Sequence, residues 1–142
     1  MKHERAVRYR SGYGTGMVVL VGGFLSLLAL AGCAPEGSGA ASAAEEFHQA
    51  LTSGDAAAAC SMLSEPAFEK AELDGGCESQ MEELQLPSAG PPVQTEVYGR
   101  TAMVEFGNDT VFLAASSSGW QITGAGCISQ GENGYMCEVG GK

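Results

Sequence analysis

The residues with the clearest chemistry in this sequence are its five cysteines. Cys33 directly follows an uncharged apolar run, whereas Cys60, Cys77, Cys127 and Cys137 lie further along the chain. A thiol can form a disulfide, carry a lipid or bind a metal, and an odd number leaves one thiol without a cysteine partner. The position of Cys33 sets it apart from the other four and makes it the odd member.

The four later cysteines predict two disulfides, provided that the chain is exported to an oxidising compartment. Of the three pairings that four cysteines allow, we favour Cys60–Cys77 with Cys127–Cys137, because each pair lies within one half of the domain. A zinc site is disfavoured, since there is no Cys-x-x-Cys and His48 is the only histidine after Cys33. We predict no metal and no cofactor.

Acid–base catalysis would need a histidine or a carboxylate held in a suitable environment. His48 follows Phe47, which is the better core residue, and adjacent helix positions point in different directions, so we expect His48 on the surface. A hydrolase triad is disfavoured, because the chain lacks a Gly-x-Ser-x-Gly motif. The other candidates, on or beside the predicted strands, are Glu96, Tyr98, Glu105 and Asp109.

Strand alternation separates these candidates from the predicted core. Ala102, Val104 and Phe106 form the more apolar face of their strand, which places Glu105 with Met103 on the other face. The covered interior should therefore be apolar, or lined by Tyr and Met, which suits either an apolar ligand or plain packing. We expect Tyr98 on the sheet surface or at a cavity lip, and Trp120 in the core.

The elements that must position these residues divide the chain after Cys33 into two halves. The first half has helical periodicity and caps, and the second has β-rich runs separated by turns. Helices are predicted from a Ser42 cap, over 56–63, from Glu65 to Leu73 and over 77–84, and strands over 93–98, 102–106, 110–115, 120–125 and 135–139. This order predicts an α+β domain with helices on a curved antiparallel sheet of four to five strands.

The charge distribution limits the partners of that domain. Three basic and sixteen acidic residues follow Cys33, a formal charge of −13 against −10 for the whole chain. Phosphate contacts need clustered Lys or Arg, so a nucleic-acid partner is excluded. Anionic lipid head groups should also repel the domain, so membrane attachment would need another source.

The first 32 residues have the pattern of a secretion signal. Lys2, Arg5, Arg8 and Arg10 precede an uncharged run of about fifteen residues over 17–31, which at ~1.5 Å per residue is too short to cross a ~30 Å hydrocarbon core. The run ends in Leu30, Ala31 and Gly32 before Cys33, a sequence that resembles the lipobox of bacterial lipoproteins.

That resemblance implies diacylglycerol on the Cys33 thiol and cleavage just before it. We therefore expect a signal peptide over 1–32, a lipidated cysteine with a flexible linker over 33–42 and a globular domain over 43–142. The mature chain would be held at the outer face of the cell membrane by its lipid.

The domain itself resembles nuclear-transport-factor-like domains. Residues 47–60, with a Gly54-Asp55 turn, are similar to the two opening helices that cover the conical sheet of that family. Residues 119–127 and Tyr135-Met-Cys137 are similar to small secreted actinobacterial proteins with this fold. The resemblance implies a fold rather than an activity, and no catalytic motif of the family's isomerases and cyclases can be matched to this chain.

Two functions remain open from the sequence. We expect a non-catalytic module that holds a small apolar ligand or presents its rim to an envelope protein. The alternative is an isomerase- or cyclase-like enzyme of the same cone fold.

Overall fold

The computed structural model describes residues 36–84, 86 and 90–141. The chain divides into two compact units, Met1–Cys33 and Ala34–Lys142, and all elements given below lie in the second. The predicted signal segment, with Leu30, Ala31 and Gly32, and the predicted lipidation residue Cys33 lie outside the described residues. Within the described ranges, no helix is both long and apolar enough to cross a bilayer.

Four helices occupy the first half of the domain: α1 (Gly37–Ser53), α2 (Ala56–Ser61), α3 (Glu65–Leu73) and α4 (Cys77–Glu83). Local signals explain most of their ends. Gly54 ends α1 with a left-handed backbone, and the Asp55 carboxylate accepts a hydrogen bond from the Ala58 N–H and caps α2. Pro66 occupies the first turn of α3, where its missing N–H costs nothing.

The first helix begins at Gly37, five residues before the expected Ser42 cap. Ala40 and Ala44 are fully buried and extend the apolar stripe that continues through Phe47. A β-carbon added at Gly39 would lie 3.1 Å from Nε1 of Trp120, so the small residues permit close packing of helix on sheet. The residues from Gly37 onward, which the sequence assigned to a flexible linker within 33–42, are therefore helical.

The second half forms one antiparallel sheet, as predicted. Its strands are β1 (Gln94–Tyr98), β2 (Thr101–Glu105), β3 (Thr110–Ser116), β4 (Gly119–Ser129), β5 (Tyr135–Met136) and β6 (Val139–Gly140). Strands β1 to β5 follow one another in order, and the short β6 pairs with β4. The sheet is strongly curled and helices pack on it, which confirms the predicted α+β class. The single strand expected over 135–139 is divided into β5 and β6.

Strand register separates the two faces of the sheet. Val104 pairs with Val111, and Leu113 pairs with both Ala102 and Ile122, so these residues share the face that packs against α1. All five are at most 2% exposed, and Phe47 of α1 is fully buried with them. The space beneath the helices is therefore filled by side chains, and the predicted apolar interior is a packed core.

Two disulfides have the predicted pairing, and each links neighbouring elements within one half of the domain. Cys60–Cys77 joins α2 to α4, and Cys127–Cys137 joins β4 to the residue that follows β5. They close loops of 17 and 10 residues. In the chain-entropy model, each would stabilise the fold by about 3 kcal/mol.

Candidate ligand-binding groove

An open groove of about 640 Å³ extends from α3 across the sheet surface. Most of its lining is apolar. Its walls are formed by α3, by the hairpin of β1 and β2, and by β3 to β6. The lining residues include Lys70, Tyr98, Met103, Phe112 and Tyr135.

The aromatic centre of the groove is a pair of rings. Phe112 of β3 and Tyr135 of β5 meet edge to face, with 4.9 Å between ring centroids. Met103 is the cross-strand partner of Phe112, so both point away from the packed core. The disulfide Cys127–Cys137 fixes the segment that carries Tyr135 against β4, which holds the second ring in place.

Beside the aromatic pair, part of the floor of the groove is made of glycines. Gly124 is the β4 partner of Phe112, and a β-carbon there would lie 3.2 Å from Sγ of Cys137. At Gly140 a β-carbon would lie within 2.2 Å of the Thr123 carbonyl oxygen, and the backbone is left-handed with φ +61°. Glycine is therefore required at Gly140, and the concavity depends on it.

One of the predicted site residues lies elsewhere than expected. His48 is only 5% exposed, although the sequence predicted a surface position. Its ring packs against Phe106, with 4.4 Å between centroids, because this side of α1 also faces the sheet. The prediction assumed that, with Phe47 buried, the adjacent His48 would face solvent. The sheet instead covers more than one side of α1.

Asp109 lies beside His48 in this buried position. Asp109 is only 7% exposed, and its carboxylate Oδ2 is 3.5 Å from Nε2 of His48. Among the described residues, neither carboxylate oxygen nor Nε2 has a hydrogen bond of good geometry. The contact is therefore a buried pair of complementary groups, and each is the other's main polar neighbour.

The His48 member of this pair lines a second cleft of about 440 Å³. His48 lines it together with Glu45, Gln49 and Thr52. A carboxylate that orients an imidazole is a common arrangement for general base catalysis. No metal is needed for such chemistry, and within the described part of the chain no three His, Cys, Asp or Glu residues are grouped to hold one.

The remaining candidates do not join this pair. Glu105 is half-buried on the same side of β2 as Met103, whereas Asp109 belongs to the loop before β3. Glu96 pairs with Met103 across the strands, and Tyr98, which is 61% exposed, stands at the groove rim as predicted. Trp120 packs, half-buried, against the core.

Sequence reasoning missed the two residues that define the groove. Strict alternation along β3 already places Phe112 on the face of Met103, so the aromatic floor could have been found by pairing the strands. Tyr135 could not have been placed in this way, because its position depends on the second disulfide. Nothing in the sequence indicated that Lys70 would line the groove.

Comparisons with known proteins return no match: no family model, no curated protein and no solved structure is significantly similar to this chain. Its class rests on its own geometry. It is a small α+β domain with a curled, cone-like antiparallel sheet, two disulfides and an apolar surface groove.

Proposed function

We propose that this chain is a lipoprotein, tethered by lipid on Cys33 to the outer face of the cell membrane, whose domain binds a small apolar ligand. The groove that contains Phe112 and Tyr135 is the observation that supports binding. The basic start, the short apolar run and Leu30-Ala-Gly-Cys33 support the tether.

The groove has the properties of a binding site rather than of a packing defect. Ligand sites are concave, largely apolar and of roughly 300–1,000 Å³, and this groove falls within that range. Exposed apolar side chains grouped in one concavity are uncommon on soluble domains and mark interaction sites. Since the core beneath the helices is filled, the ligand would bind on the sheet surface and not inside the cone.

The chemistry of the lining supports binding without catalysis. Besides Lys70, the titratable groups among the described lining residues are the phenols of Tyr98 and Tyr135. Neither a histidine nor a carboxylate is among them, so the groove lacks an acid–base pair that could act near neutral pH.

Binding is tested with the neutral ring compound 2-naphthamide and the full chain labelled with ¹³C at its methionine methyl groups. The Met103 methyl signal, assigned with Met103→Leu, should shift and saturate, because this side chain lies beside Phe112 in the groove. The Met81 methyl is buried in the helical half and should stay unchanged.

Truncation of the aromatic floor should weaken this binding. We expect Phe112→Ala to raise the Kd for 2-naphthamide about five- to tenfold, from the loss of one aromatic contact. Phe68→Ala removes a partly exposed ring of α3 outside the groove and serves as the matched control. Equal Kd values for both variants, or a Met103 signal that never shifts, would show that the groove is not the binding site.

The buried pair of His48 and Asp109 favours a second candidate function, that of an acid–base enzyme using the cleft beside α1. Diethylpyrocarbonate separates the two functions, because it modifies imidazole nitrogens that solvent reaches. We expect His48 to react much more slowly in the native chain than in the chain unfolded in urea, as its burial indicates, and mass spectrometry of peptides measures both rates. Equal rates would favour the enzyme.

A further inference from the structure

The groove differs in charge from the rest of the domain. Sixteen acidic residues follow Cys33, yet none is among the described residues that line the groove, whereas the two other clefts each contain a glutamate, Glu82 and Glu45. The groove also contains Lys70, and the described ranges hold just one further Lys or Arg, Arg100. A strongly acidic domain therefore has a local positive charge at its apolar groove.

Lys70 is placed to reach a bound molecule. It lies on α3, at the wall opposite the hairpin that carries Met103, and its side chain is 51% exposed. Its ammonium donates a 2.7 Å hydrogen bond to Oδ2 of Asp74, one turn along the same helix. Such exposed pairs contribute little, and an ammonium has three donors, so an anion in the groove can share or replace Asp74.

Strand register places one carboxylate, that of Glu96, beside Met103, but this carboxylate does not oppose an anion bound at Lys70. Glu96 faces the same side as its partner Met103, but it is absent from the groove lining. Its carboxylate accepts a hydrogen bond from the side-chain amide of Gln94, which directs it along β1. Among the described lining residues of the groove, Lys70 is therefore the one Lys, Arg, Asp or Glu.

The geometry points to a ligand of one class, an amphipathic molecule with an apolar ring and a single anionic group. This inference rests on the function proposed above. The ring lies against Met103, Phe112 and Tyr135, and the anion meets the Lys70 ammonium. A ligand of this kind matches both the apolar lining and the one charge of the groove.

The test compares 2-naphthoate with 2-naphthamide, two molecules of nearly the same shape that differ by one negative charge. Both are titrated into the labelled full chain at pH 7, and the Met103 methyl signal gives each Kd. We expect 2-naphthoate to bind about threefold tighter, the size of an exposed ion pair, and this preference should shrink as salt is added.

Three variants test which side chain causes the preference for the anionic compound. Lys70→Met keeps the apolar stem, removes the charge and should abolish the preference for 2-naphthoate over 2-naphthamide. Asp74→Asn frees the ammonium and should increase the preference. Arg100→Met removes the same unit of charge from the turn between β1 and β2, outside the groove, and should leave the preference as it is.

The outcomes distinguish a failure of this inference from a failure of the proposed binding function. If both compounds bind equally, or if the preference survives Lys70→Met, the anionic ligand class is overturned while binding of an apolar ligand stands. If neither compound shifts the Met103 signal, the proposed binding function itself fails.

Discussion

His48→Leu is expected to lower the free energy of unfolding by up to about 3 kcal/mol, the usual cost of leaving a buried polar group without its partner. The substitution leaves the Asp109 carboxylate buried, and its oxygens have no other well-formed hydrogen bond among the described residues. Since whole domains are stable by only about 5–15 kcal/mol, this loss is large. Urea unfolding of the full chain with its disulfides intact measures it.

The control for this prediction replaces both partners. In the double variant His48→Leu/Asp109→Leu, no uncompensated polar group remains, so we expect it to be within about 1 kcal/mol of the parent chain. The two single losses would then be strongly non-additive, as expected for groups in contact. A double variant as unstable as the summed single variants would refute the idea that the two side chains compensate each other.

Cys33→Ser should abolish membrane attachment almost completely. Serine offers no thiol for a thioether to diacylglycerol, and the negative charge of the domain should repel anionic lipid. We expect unprocessed precursor or protein in the aqueous phase after detergent phase separation, and intact-mass spectrometry distinguishes these two forms.

A matched serine substitution away from the motif controls for general effects. Ala41→Ser changes a helical residue of the domain by a single oxygen and should leave both processing and detergent partitioning unaltered. Normal cleavage and unchanged partitioning of Cys33→Ser would show that the resemblance to the lipobox is misleading.

Features set by local sequence were predictable. Asp55 caps α2 and Pro66 opens α3 because a cap needs only its own neighbours along the chain. The disulfide pairing followed from proximity along the chain, and alternation placed Ala102 and Val104 on the covered face.

Features set by contacts between distant segments were not predictable. Gly37 and Gly39 have the composition of a linker, and only the approach of α1 to Trp120 shows why the helix has a glycine at position 39. His48 is buried because Phe106 covers a second side of α1. In the same way, the groove requires Tyr135 to be brought to Phe112 by a disulfide and by strand pairing.

Binding of a ring-bearing ligand in the groove is the central claim, and nuclear Overhauser contacts from the ligand test it most directly. With 2-naphthamide bound to the methionine-labelled chain, ring protons should show contacts to the Met103 methyl group and none to Met81, which lies in the core. Contacts to Met81 or Met62, or an absence of contacts to Met103 at saturating ligand, would contradict the account.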